Sequence, residues 1–120
     1  MAEIERITTP HSYSTAVAAG DYVFLGLHRG SGEDFAAQFD DTFRYLKTTL
    51  AEFGLGLQHV VKVSVWLKHI GDLPEMEKRF RLYFEEDEYP ARMTSTTEFI
   101  DEDCLLMIDG VAYWTGHGQT

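Results

Sequence analysis

Residues Cys104 to Trp114 read Cys-Leu-Leu-Met-Ile-Asp-Gly-Val-Ala-Tyr-Trp, and as a β-strand this stretch is apolar on both faces. Cys104, Leu106, Ile108 and Ala112 alternate with Leu105, Met107, Val111 and Tyr113. Side chains along a strand point to opposite faces in turn, so such a strand belongs in a sheet covered on both sides. One charge interrupts it. Asp109 lies on the odd-numbered face, where a carboxylate is costly unless something pairs with it.

A partner stands upstream. Residues Pro90 to Phe99 are rich in Thr, and Ile100-Asp101-Glu102-Asp103 is acidic and turn-like. The two outer stretches predict a β-hairpin. With the turn centred between Ile100 and Asp101, Arg92 faces Asp109. A slip of one residue would put them on opposite faces. The two charges either form a structural ion pair or flank a shared ligand.

Earlier residues supply the other elements. Residues 3–9 alternate weakly, as an edge strand stopped by Pro10. Tyr13 to Ala19 predicts a strand, and Gly20-Asp21 is a two-residue hairpin signal. Tyr22 to Leu27 reads as a buried strand, with Gly26 marking a bulge or a close backbone approach. His28-Arg29-Gly30-Ser31-Gly32 reads as a flexible loop able to cradle an anion, without the spacing of a phosphate loop.

From Glu33 to Phe53 the pattern is helical. Phe35, Phe39, Phe43, Leu46, Leu50 and Phe53 form one apolar stripe, and Gly54 closes the helix. Val60 to Leu67 is a strand with Val61, Val63, Val65 and Leu67 on a dry face and Val60, Lys62, Ser64 and Trp66 on a mixed one. Asp72 is read as the cap of a second helix, with Pro74 in its first turn and Glu75 completing a capping box. Leu73, Met76, Phe80, Tyr83 and Phe84 form its buried stripe. Glu85 to Glu88 reads as a solvated acidic end, and residues 116–120 as a frayed tail.

This order implies a single domain over residues 1–120, of the α+β class, two-layered, with a mostly antiparallel six-stranded sheet and two helices on one face. The opposite face is then uncovered although strand 104–114 is apolar there too. Its most economical cover is a second copy of the chain, which would place Asp109 at or near a subunit interface.

Charge narrows the function classes. A net charge of −10 over 120 residues repels phosphate backbones and anionic lipid, which excludes nucleic acid and membrane as default partners. The chain starts Met-Ala-Glu-Ile-Glu, with neither the basic nor the apolar region of a signal peptide. No apolar run approaches the roughly 18 residues needed to cross a bilayer. A cytoplasmic protein is expected. His11, His28, His59, His69 and His117 are dispersed, Asp40 and Asp41 read as exposed acid, and no metal site is expected. Cys104 reads as a small buried hydrophobe without a base beside it. What remains is Arg92, Asp109 and Tyr13. A guanidinium fork holds a carboxylate in two hydrogen bonds, and a partly desolvated carboxylate can aim a water at an electrophilic carbon.

Five segments, Tyr13 to Val17, Gly20 to Phe24, Val60 to Leu67, Pro90-Ala91-Arg92 and Ile108 to Ala112, resemble in order and spacing the signature segments of the RidA (YjgF/L-PSP, reactive intermediate deaminase) family. The resemblance spans nearly the whole chain, and Pro-Ala-Arg with its downstream acidic strand is its most specific part. It implies a chorismate-mutase-like fold, a homotrimer with intersubunit clefts, and hydrolysis of 2-imino acids such as 2-iminopropanoate or 2-iminobutanoate to 2-keto acids and ammonia without a cofactor. By the same resemblance Arg92 binds the substrate carboxylate and Asp109 stands for a water-activating glutamate. The resemblance also makes Tyr13 a cleft-lining residue, and Gly26 and Thr94 are expected to join Tyr13 and Arg92 in substrate binding.

Four positions depart from the family pattern. Leu25-Gly26 stands for Ser-Gly, which makes a polar cleft group apolar. Glu77 stands for an asparagine, Asp109 is a methylene shorter than glutamate, and Met93 replaces a small residue. These changes suit a divergent deaminase or a non-catalytic protein that binds small carboxylates. A third role attached to the family, endoribonuclease or translation inhibitor, conflicts with the charge.

Overall fold

The structure is a computed structural model and describes residues 4–115. Its strands are β1 (Ile4–Thr8), β2 (Ser14–Ala19), β3 (Tyr22–His28), β4 (Val60–Leu67), β5 (Ala91–Thr96) and β6 (Leu106–Tyr113). Helices α1 (Phe35–Ala51) and α2 (Leu73–Phe80) follow β3 and β4. The sheet order is β1-β2-β3-β6-β4-β5. Every pairing is antiparallel except β4 with β5. This is the expected α+β fold, with both helices contributing to one core on a mixed, mostly antiparallel sheet. The tail at 116–120 and His117 lie outside the described residues.

The expected hairpin of β5 and β6 does not form. β4 runs between them, so Val63 pairs with Arg92 on one side and Gly110 on the other, while Ser64 pairs with Asp109. The unit β4-α2-β5 is a crossover between parallel neighbours, and it leaves the Thr- and Ser-bearing β5 at an edge. β6, the most apolar strand, takes an interior slot with both edges paired. Cys104 is buried but precedes β6 rather than lying in it. Its thiol donates to the Leu106 carbonyl, and burial pushes its pKa up.

α1 forms where its stripe requires. Phe35, Phe39, Phe43, Leu46 and Leu50 are all buried, and Phe53 is partly so. The Asp34 carboxylate accepts from the Ala37 amide at 2.8 Å, satisfying a free first-turn donor. α2 buries Met76 and Phe80, then tightens into a short turn at Arg81–Tyr83. Its expected capping box is absent. Asp72 ends a preceding helical turn with φ −83° and ψ −1°, makes no side-chain cap bond, and Glu75 turns to Arg79 instead. Arg79 also reaches Asp40 on α1, which accepts a 2.6 Å bond from Tyr83. Burial, with that bond, pushes the Tyr83 hydroxyl up to about 12. Asp40 and Asp41 are therefore engaged rather than free surface acid.

Two bulges revise the strand faces. In β4 the register shifts between Val60 and Lys62, so Val60 joins Val63, Val65 and Leu67 in the core and Val61 is exposed. In β3 it shifts between Leu25 and His28, as Gly26 suggested, leaving Gly26 and Leu27 opposite the single residue Asp109. β3 is not uniformly buried: Tyr22, Phe24 and Leu27 are exposed. His28 is fully buried and belongs to the strand, not to a flexible loop. The amides of Gly30 and Ser31 are bonded by Thr42 and Asp41 of α1, at 2.9 and 2.7 Å. Those donors serve the loop's own anchoring, which leaves that part of the expected anion cradle occupied.

Candidate functional site

Arg92 is the second residue of β5, which starts just after the buried Pro90. Pairing with Val63 puts it on the helix side of the sheet, since paired residues share a face. At an edge strand its long side chain reaches α2. Nη1 lies 2.8 Å from Glu77 Oε1, the guanidinium carbon sits 4.8 Å from the centre of the Phe80 ring, and Nε donates to Thr94 Oγ1 at 3.1 Å. The Arg92 hydrogen bond holds the Glu77 carboxyl below its ordinary range. Arg92 and Glu77 border a hollow of about 750 Å³ together with Phe80, Phe84 and Tyr89.

Asp109 points the other way. It pairs with Ser64 on the helix-free face, and Trp66 Nε1 donates to its Oδ2 at 3.4 Å. It is half-buried. Beside it on β3 is the bulge at Gly26 and Leu27. That bulge borders a second hollow of about 610 Å³, lined also by Tyr13, Arg29, Tyr45 and Met107. Arg29 is already tied to Asp101 at 2.7 Å.

The candidate residues therefore fall into two groups. Tyr13 and Gly26 share the second hollow, with Asp109 next to Gly26 along the sheet. Arg92 and Thr94 share the first region. Within one chain Arg92 and Asp109 neither face each other nor line one hollow, because β4 separates them and their side chains leave opposite faces. Leu25 lines neither hollow. It is packed in the core, so its apolar character does not alter either lining.

Two contacts escaped the sequence reading. Glu77 stood out only as a departure from a pattern; its ion pair with Arg92 depends on β5 lying parallel to β4 and under α2, which no local spacing encodes. His28 carried no signal, because the bulge before it reverses the alternation that would have marked it as buried. Among the described residues no group of three or more His, Cys, Asp or Glu side chains is placed to hold a metal ion. No helix of the described residues is long and apolar enough to cross a membrane.

Residues 3–114 match the family model described as Endoribonuclease L-PSP. A RutC family protein of Pyrococcus abyssi is 30% identical over 109 residues, covering 84% of this chain and 85% of the relative. Protein DfrA of Myxococcus xanthus is 30% identical over 111 residues, covering 86% and 84%. Among solved structures, a YjgF family member from Neisseria meningitidis superposes with a TM-score of 0.88 at 27% identity, over 92% of this chain and 94% of that one. RidA from an Antarctic Psychrobacter gives 0.82 at 25% identity, over 91% and 94%.

Proposed function

This chain belongs to the Endoribonuclease L-PSP family, that of the YjgF and RidA proteins, and on that premise we propose that it hydrolyses small imines in clefts formed between copies of itself. The division of the candidate residues supports this reading. Arg92 and Thr94 lie on one side of the sheet, Tyr13, Gly26 and Asp109 at another, and only a neighbouring copy can bring the two groups together. The helix-free face carries exposed Tyr22, Phe24, Met93 and Tyr113, an apolar surface suited to burial against such a copy. A closed trimer, as the family resemblance implies, repeats one such cleft at each interface.

In the proposed reaction Arg92 of one copy holds the substrate carboxylate and Thr94 steadies the guanidinium. Asp109 of the adjacent copy orients a water and accepts its proton. The water oxygen bonds to the imine carbon of a 2-imino acid such as 2-iminopropanoate, and the C=N π pair moves to nitrogen, which takes up a proton. The carbinolamine hydroxyl then gives up its proton and its oxygen pair closes the C=O bond of the 2-keto acid, while the C–N bond breaks and nitrogen, having taken up a further proton, departs as ammonia. This reading places the protein in the cytoplasm, with neither nucleic acid nor membrane as partner.

The test is a coupled assay in which an amino-acid oxidase generates the imine and its disappearance is followed with and without the protein. Acceleration over spontaneous hydrolysis is expected. A second reading, a non-catalytic sensor of small carboxylates, is favoured by the Glu77 carboxylate already bound to Arg92. Saturable binding without acceleration would support it. An endoribonuclease role conflicts with the net charge of −10; RNA binding that survives physiological salt would reinstate it.

A further inference from the structure

Arg92, the residue proposed to anchor a substrate carboxylate, already holds one. Glu77 Oε1 sits 2.8 Å from Nη1, and Nε is given to Thr94. A simple 2-imino acid therefore meets a cation whose charge is balanced and whose donors are partly spent. It must either displace Glu77 or bind beside it, carboxylate next to carboxylate, where like charges repel.

The rest of the hollow points the same way. Glu86 is a second acid on its lining, and Phe80, Phe84 and Tyr89 present three aromatic rings. Ring faces attract cations, and Arg92 itself already lies over Phe80. Arg81 also borders the hollow, so the two acids and two arginines balance to no net charge.

We propose that Glu77 sets substrate charge at this cleft, favouring 2-imino acids with a basic side chain over simple 2-imino monocarboxylates. The substrate carboxylate takes the remaining N–H groups of Arg92, and the cationic end of the side chain lies against Glu77 and the rings. A carboxylate held on one oxygen keeps acceptor capacity for that donor. This rests on the imine-hydrolase reading and narrows it to a substrate class.

Two keto-acid products serve as matched probes: 2-oxobutanoate, and 2-oxo-5-guanidinopentanoate, which adds a guanidinium to the same carboxylate end. Calorimetric titration of the full chain should show tighter binding of the guanidino acid. Glu77→Gln should weaken that binding about tenfold and strengthen 2-oxobutanoate, a reversal expected from loss of one charge-assisted contact. Glu77→Ala should repeat the trend, and a thermal melt of each variant checks that the fold persists. Equal affinity for the two acids in the wild type, an unchanged preference in both variants, or no binding of either acid to the wild type overturns the proposal. Turnover is scored separately. A preference without imine hydrolysis removes the enzyme reading and leaves the role of Glu77; hydrolysis without a preference removes Glu77 alone.

Discussion

His28 Nδ1 lies 2.7 Å from the carbonyl oxygen of Gly26, across the bulge that interrupts β3. A carbonyl only accepts, so Nδ1 carries the hydrogen, and in the neutral ring Nε2 accepts from Thr49 Oγ1 at 2.9 Å. The ring is fully buried and stacks at a tilt 4.3 Å from Tyr45. His28 thus ties the floor of the second hollow to α1.

Burial lowers the His28 pKa, with the Gly26 bond opposing that effect. The unfolded chain takes up a proton near the ordinary histidine value of about 6.5, and the folded chain resists it. Stability from neutral His28 is complete above that value and is lost as pH falls through the lowered folded one. Urea unfolding from about pH 7.5 to about pH 5.5 should show the wild type weakening over this window. His28→Ala should be destabilised by ~2–4 kcal/mol at the upper pH, from a cavity and two lost hydrogen bonds, and should show a flatter pH profile. Asp41, Asp101 and Glu77, all shifted downward by hydrogen bonds, contribute only in a more acidic window.

Arg92→Ala and Asp109→Asn should each abolish imine hydrolysis while leaving the oligomer intact. Their placement on opposite faces adds a sharper expectation. If different copies supply them to one cleft, co-expressing the two inactive variants restores activity in about a quarter of the clefts of a randomly mixed assembly. Absence of any rescue, with mixed oligomers verified by mass spectrometry, would remove the shared-cleft arrangement.

The aromatic patch on the helix-free face is continuous. Tyr22 lies 6.1 Å from Phe24 and 5.0 Å from Tyr113, ring centre to ring centre. Phe24→Asp places a charge in what should be a dry interface, at a cost that dissociates the assembly. Light scattering should read a trimer for the wild type and a monomer for the variant. A monomeric wild type would leave each cleft half-built.

Gly110 stands in the middle of β6, where an added Cβ would come 2.5 Å from the Lys62 carbonyl oxygen and 3.2 Å from a Val63 methyl. The backbone cannot yield without shifting β4, so Gly110→Ala should cost ~2–3 kcal/mol. Gly71→Ala, with nothing within 4 Å, should be close to neutral. A denaturation series comparing the two isolates close strand approach from glycine's backbone entropy.

Local pattern alone identified every strand, both helices and the uncovered apolar face, because each element's periodicity records one side turned to a core. Phe39, Phe43 and Leu50 could be placed from their spacing, and so could the Gly20 turn, whose φ is +61°. Strand neighbours could not be. Pairing joins residues far apart in the chain, and a β5-β6 hairpin and a β6 inserted beside β4 satisfy the same alternation. Packing chose the second, since it buries both edges of the most apolar strand. That choice, with the bulges at Gly26 and Val61 that reset which residues face inward, turned Arg92 toward Glu77 and Asp109 toward the opposite side.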